Sequence, residues 1–238
     1  MNKKIEIEIN NNIGDFILPH LRNAKRNIYI VSPWVSPSHI DLLIDKKSSG
    51  VDIKIITTND YSNNSGALEK LLERDSRVVR EERSHIKYLG ISLFVVGFVL
   101  LVLPFFVKVK ILSFLLIIPG AILYYLGKER RELFWVSKIG EENLTVFAYN
   151  SFHLVHAKVY VLDDLVIAGS ANFTKNSFEH SLESVVLLED EEIRTKTIER
   201  FKSLPFEKAF PQVDHTTVGN SLQKSKTSPR YPRRYKRF

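Results

Sequence analysis

The sequence predicts an α/β domain interrupted by a pair of membrane-type helices. Over residues 27–75 the pattern alternates strand, helix, strand, helix, the order of a parallel α/β sheet. Two long uncharged apolar runs follow. Beyond them strand and helix patterns resume and continue to Phe201.

Taken in order, Ile5-Glu6-Ile7-Glu8-Ile9 alternates like a half-exposed strand and unlike the apolar core of a signal peptide. Residues 13–26 place Ile13, Phe16, Ile17, Leu21 and Ala24 at helical spacing, with Pro19 marking a start or a kink. Asn27–Ser32 is a β-rich run that stops at Pro33. Ser38 or Asp41 opens a helix to about Lys47, with Gly50 as its stop. Val51–Thr58 reads as a strand. Ser65–Asp75 reads as a helix with Leu68, Leu71 and Leu72 on one side. After the apolar runs, 130–138 reads as a helix and Leu144–Tyr149 as a strand. His156–Asn172 forms a strand-turn-strand unit, and Glu183–Leu188 a further strand. Asp190–Phe201 is a helix that starts with acids, as the helix dipole prefers. The polar, basic end reads as a disordered tail. The predicted organisation is 1–83 and 129–208 as two parts of one domain, 84–128 as the hairpin, and 209–238 as the tail.

The chain has 238 residues, a formal charge of +7 and no cysteine. Disulfides and thiolate zinc sites are therefore excluded. Seven basic residues and no acidic ones lie between Lys224 and Phe238 (Lys224, Lys226, Arg230, Arg233, Arg234, Lys236, Arg237). The excess charge thus belongs to the tail and not to the folded body.

Tyr88–Val107 is twenty residues without a charge, and Ile111–Gly127 another seventeen. About 20 apolar residues cross a bilayer as a helix, and about 17 suffice at the low end. A buried helical pair of a soluble protein would keep a polar face, which neither run has. The expectation is a transmembrane hairpin with Lys108 and Lys110 in its turn. Arg74, Arg77, Arg80, Arg83 and Lys87 precede it, and Lys128, Arg130 and Arg131 follow. The bias of positive charge places both flanks, both termini and the α/β domain on the cytoplasmic side.

The chemistry concentrates in one stretch. His156 and Lys158 are two apart on what reads as a strand, so both side chains point to one face. Asp163 and Asp164 sit at the turn, and Gly169-Ser170-Ala171-Asn172 closes the second strand. A nucleophile, a cation and neutral donors are thus brought around one phosphate. The plain alternative is a surface hairpin with a stray histidine.

This stretch resembles the signature of the phospholipase D superfamily, H-x-K-x4-D-x6-G-S-x-x-N. The histidine, lysine and Asp163 fit the first spacing. The second gap is one residue short, which leaves open whether Asp163 or Asp164 fills the position. The ending is Gly-Ser-x-Asn. The resemblance covers roughly 13–80 and 130–206 by boundary reading, and implies an α-β-α sandwich. A hairpin inserted into it departs from the usual pattern.

The resemblance also implies roles. His156 would form a covalent phosphohistidine and Lys158 would hold a phosphate oxygen. Ser170 and Asn172 would bind the phosphate. Glu183 matches a downstream glutamate that orients the histidine, although Ser181 stands where members often have Asn. Asp163, counted with the catalytic set, reads as a turn residue. No metal and no cofactor is required. His153 reads as a non-ligand and His180 as a surface residue. Only one signature is present, so a complete site of this type needs a homodimer with His156 from each copy.

For the substrate, Gly-Ser-Ala-Asn-Phe-Thr with Lys175 and Asn176 is similar to the nuclease-type branch. The tail, with Tyr231, Tyr235 and Phe238, suits nucleic acid. It would equally suit an anionic leaflet, so a phospholipase or transphosphatidylase on membrane phospholipids is the alternative. A non-catalytic membrane scaffold is the third reading.

Overall fold

A computed structural model describes residues 4–102, 107–149, 155–206 and 211–227. The chain divides into two compact units. One comprises the residues up to Arg74 and from Trp135, the other Asp75–Phe134.

The first unit is built on a seven-stranded sheet in the order β1-β9-β8-β7-β2-β3-β6. Its strands are β1 (Lys4–Asn10), β2 (Asn27–Val31), β3 (Asp52–Thr58), β6 (Leu144–Phe147), β7 (Val159–Leu162), β8 (Leu165–Gly169) and β9 (Glu183–Glu189). Its helices are α1 (Gly14–Asn23), α2 (Pro37–Ser48), α3 (Tyr61–Leu71), α6 (Lys175–Glu179), α7 (Glu191–Ser203) and α8 (His215–Thr227). Of the expected parallel sheet, β2–β3 and β3–β6 are parallel. The remaining pairs, β2–β7, β7–β8, β8–β9 and β1–β9, are antiparallel. The β2-α2-β3 crossover obeys the parallel rule, whereas the signature forms a hairpin that can only pair antiparallel.

Each face of the sheet has its own core. Ile28, Ile30, Ile53, Ile55, Tyr160, Ile167 and Leu187 are buried beneath α1, α2, α3, α6 and α8. Tyr29, Val31, Val161 and Val166 on the other face are buried with Phe201 of α7. This α7 face is only partly covered. Ile5, Ile7 and Ile9 of the edge strand β1 remain 66–67% exposed. By register they lie opposite Leu188, Val186 and Ser184.

Three local expectations are corrected. Residues 130–138 are not helical. Arg130–Ser137 is strand β5, which pairs with β4 (Leu72–Arg80) in a two-stranded sheet. The preceding helix starts earlier than expected, with Asp60 as its cap, and ends at Leu71 where β4 begins. Residues 215–227 were assigned to the disordered tail but form α8. The helix is kept by buried Val218 and Leu222, and by Trp135, whose ring sits against Gly219. The basic tail beyond Thr227 lies outside the described residues.

The second unit contains α4 (Ser84–Val102) and α5 (Val107–Gly127). Their apolar side chains point outward: Phe94, Val95, Phe98, Leu115, Ile118 and Ile122 are 43–64% exposed. The helices meet through small residues instead. A Cβ on Gly120 would stand 2.7 Å from the Phe94 nitrogen and 2.8 Å from the Gly90 oxygen. A Cβ on Gly97 would stand 2.9 Å from the Ser113 oxygen. Gly90 and Gly97 are seven apart, as are Ser113, Gly120 and Gly127, so one small-residue seam runs along each helix.

Among the described residues one helix, Ser84–Val102, is long and apolar enough to cross a membrane. Lys108 and Lys110, expected in the turn, lie within α5. The stretch Ser113–Gly127 within it is a shorter apolar helical run.

Gly120→Leu has no room for its side chain. We expect it to destabilise the helix pair by about 1–3 kcal/mol, read as a lowered unfolding midpoint in detergent micelles, while Ile118→Leu on the exposed side changes it by less than about 0.5 kcal/mol.

Candidate active site

The carboxyl ends of β2, β3 and β8 and the amino ends of β7 and β9 lie at one end of the sheet, as the strand registers require. Crevices of α/β sheets form at such ends. His156 and Lys158 immediately precede β7, so they emerge at this edge.

Lys158 is buried although His156 is exposed. Its Nζ donates to the His156 carbonyl oxygen at 2.8 Å. The same Nζ stands 2.8 Å from Nδ1 and 2.9 Å from Nε2 of the His156 ring. The spacing thus brings ammonium and imidazole into direct contact, although His156 lies outside the regular strand. Burial pushes the Lys158 pKa down, and the charge of Glu183 partly offsets it.

Ser170 stands at the adjoining strand end. Its hydroxyl donates to the Glu183 carboxylate and accepts the Ser184 N–H at 3.0 Å. Glu183 therefore bonds Ser170 and not the imidazole it was expected to orient. This arrangement needs Gly169. Any Cβ there would collide with the Ser184 carbonyl oxygen, and would lie 2.8 Å from the Val185 Cα. Asn172 is half-buried, and its Oδ1 is buried without a hydrogen-bond partner. His180 is exposed beside Glu179. His153 lies outside the described residues.

Asp163 is not brought to this group. It lies at the other end of β7, five residues from Lys158, or about 16 Å of extended chain. It adopts φ 53°, a left-handed conformation that Asp tolerates in a tight turn. Its carboxylate accepts the backbone N–H groups of Lys25 (2.8 Å), Arg26 (2.8 Å) and Asn27 (3.0 Å). Partial burial acts to raise its pKa, but the three amides outweigh that and hold it below the usual carboxylate range. Asp164 instead pairs with the Arg26 guanidinium. Asp163 thus anchors the turn, and Asp163 and Asp164 form the two-residue connection between β7 and β8.

Sequence reasoning missed Trp34. Its indole meets the His156 ring edge-on, with centroids 6.1 Å apart and planes at 86°. Beyond His156 a cavity of about 290 Å³ runs between Val31, Val159 and the α7 residues Arg200 and Phe201. Among the described residues, no group of three or more His, Asp or Glu is placed to hold a metal ion.

Residues 116–204 match the family described as cardiolipin synthase, PLD-like domain. No curated protein matches the chain. Similar solved structures include Nuc of Salmonella typhimurium, a phospholipase D family member, at 14% identity and TM-score 0.46, covering 90% of this chain and 99% of that one. NucT of Helicobacter pylori is similar at 15% identity and TM-score 0.46, covering 89% and 100%. Phosphatidylserine synthase of Haemophilus influenzae Rd KW20 is similar at 11% identity and TM-score 0.45, covering 94% and 45%.

The role of Asp163 is testable. Asp163→Asn keeps the turn geometry but loses the charge, and should cost about 1–3 kcal/mol in chemical denaturation. Because the folded pKa is depressed, the carboxylate stabilises above its unfolded value of about 3.9 and that contribution fades as pH falls through the folded value. The variant should therefore lose stability at neutral pH and show a flatter acid limb. Lost turnover with unchanged stability would instead make Asp163 catalytic.

Proposed function

The chain carries a phospholipase D-like domain of the phospholipase D superfamily, and from that premise we propose that it is a membrane-anchored, metal-independent phosphodiesterase, most readily a nuclease. The observation that carries the proposal is Lys158 Nζ seated on both the ring and the carbonyl of His156.

In this reading a ring nitrogen of His156 attacks phosphorus. A P–N bond forms and the bond to the leaving oxygen breaks. That oxygen takes its proton from His156 of a second copy, which serves as general acid. Water, giving a proton back to the second histidine, then cleaves the P–N bond and returns the imidazole. Lys158 meets the non-bridging oxygens, where charge grows in the transition state. Ser170, oriented by Glu183, and Asn172 contribute hydrogen bonds to the same group. Each chain supplies one such histidine, which supports a homodimer. The bare isoleucine face of β1 is the surface we assign to it, because exposed apolar patches of this kind mark interaction sites. The strand ends beside Glu183, since Asn10 pairs with that residue.

The choice of nucleic acid rests on Phe173-Thr174-Lys175 after the signature, with Lys175 exposed at the start of α6. A phospholipid substrate is the second reading, favoured by the description of the matching family. We further propose that α4 and α5 insert together as a hairpin with both flanks cytoplasmic, the flanking arginines and lysines setting that orientation. The all-round exposure of their apolar side chains supports insertion.

The decisive assay is cleavage of single-stranded DNA, double-stranded DNA and RNA by full-length protein in detergent and excess EDTA. We expect cleavage that resists EDTA, falls at least about 10³-fold in His156→Ala, and falls about 10²–10³-fold in Lys158→Met. Intact nucleic acid alongside hydrolysis of phospholipid vesicles would select the second reading.

The dimer has its own test. Ile7→Glu combined with Ile9→Glu should halve the particle mass in light scattering and reduce turnover in parallel. Full turnover from a monomer would exclude the shared site.

A further inference from the structure

Trp34 stands outside the signature, 122 residues before the histidine it touches, and every part of it is held. Just before it, the Ser32 hydroxyl donates to the Trp34 carbonyl oxygen at 2.7 Å and accepts the Phe173 N–H at 2.9 Å. Pro33 offers its carbonyl oxygen to Asn64 Nδ2 and to the Thr58 hydroxyl, both at 2.8 Å. On the far side, the Val35 N–H donates to Asn64 Oδ1 at 2.9 Å. The indole N–H donates to Asp60 Oδ2 at 2.9 Å.

Asp60 is a firm acceptor. It is 6% exposed. Burial acts to raise its pKa, but hydrogen bonds from Ser62, Asn63 and Trp34 together carry it below the usual carboxylate range. It is also the cap of α3, accepting the Ser62 N–H at 3.1 Å. The indole is therefore tied to a helix start rather than to a loose loop.

Tryptophan has a single hydrogen-bonding group, and Asp60 consumes it. The contact with His156 is thus made by ring surface alone. It restricts the imidazole without competing for either of its nitrogens, which stay available to Lys158 and to phosphorus. An exposed histidine on an irregular segment otherwise has few restraints on its ring torsion.

We propose that Trp34 is a positioning residue: braced by Asp60, its indole holds the His156 imidazole in the orientation from which it attacks phosphorus. This rests on the nucleophilic role given to His156 above.

The first test is steady-state kinetics of full-length Trp34→Ala and Trp34→Phe on the nucleic acid or phospholipid cleaved by the wild type. Misplacing a reacting group by about 1 Å costs up to about 10²-fold. We expect kcat to fall roughly ten- to hundredfold in Trp34→Ala with KM within about twofold, and Trp34→Phe, which restores an aromatic wall, to recover to within about threefold of wild type. A raised KM with unchanged kcat would make Trp34 a substrate platform and overturn the proposal, as would no change at all.

The second test needs no turnover. Trp135 is the other of the chain's two tryptophans, so Trp135→Phe leaves Trp34 as sole emitter. Adding His156→Ala should change its emission, because the quenching ring is gone. Unchanged emission would overturn the contact itself. A protein that cleaves no phosphodiester, yet shows this emission change, would fail the phosphodiesterase reading and leave the packing of Trp34 on His156 intact.

Discussion

The seam between β2 and β7 is the constraint on which the first unit depends. Its sheet is assembled from two stretches of chain separated by the whole of Asp75–Phe134. Val31 pairs with Val159 and Ile28 with Leu162, and the seam is locked at both ends. At one end the Asp163 carboxylate grips three consecutive amides at the start of β2. At the other, the Ser32 hydroxyl takes the Phe173 N–H, and the Ser36 N–H donates to the Phe173 carbonyl oxygen at 2.9 Å. A slip of one residue would send every β7 side chain to the opposite face. It would also carry His156 and Lys158 away from Trp34 and Ser170. Asp163 thus serves the site from the wrong end of the strand to touch it, by fixing the register that builds it.

The electrostatics of the site follow from that geometry. Lys158 is 7% exposed, and its ammonium is met by the carbonyl oxygen and the ring of His156. The carboxylate of Glu183 lowers the cost of the buried charge, but its own hydrogen bond goes to Ser170. Among the described residues no carboxylate forms a salt bridge with Lys158, and a buried cation so placed is expensive. A phosphodiester anion arriving at His156 would supply the missing charge. On the proposed function, a bound phosphate would lower a cost already present in the folded protein.

Much of this was legible in the sequence, and what was not has a common cause. The spacing of His156, Lys158, Gly169, Ser170 and Asn172 is local, so the hairpin that unites most of them could be read directly. The helices with strong apolar faces, such as the one carrying Ile13, Ile17 and Leu21, were equally visible. Arg130–Ser137 was not, because its strand character comes from pairing with Leu72–Arg80, a partner some fifty residues away that no local pattern announces. Val218 and Leu222 are too few to mark a helix in a polar stretch, and only their burial in the core explains α8. Trp34 and Asp60 were missed for the same reason. An indole and a carboxylate in two separate loops become a brace only after β2 and β3 lie side by side. Asp163 matched the signature, but a signature preserves structural anchors as readily as groups that touch substrate.

The entropic cost of an insertion of this size inside a sheet domain is mild. The β2–β7 seam closes a loop of roughly 130 residues, and loop-closure entropy grows only with the logarithm of length, about 0.6 kcal/mol per doubling. The helix pair forms from local contacts and needs nothing from the sheet, so it can fold first. Once formed, it removes about half of that loop from the entropy cost, returning roughly the same 0.6 kcal/mol. The root of the insertion is closed within the first unit by the Lys138 N–H on the Leu71 carbonyl oxygen at 2.8 Å. The sheet therefore sees a short connection between α3 and the following strand, much as if no hairpin were there. The hairpin from His156 to Asn172 can therefore form in a chain that carries an apolar helix pair between the two stretches of its sheet.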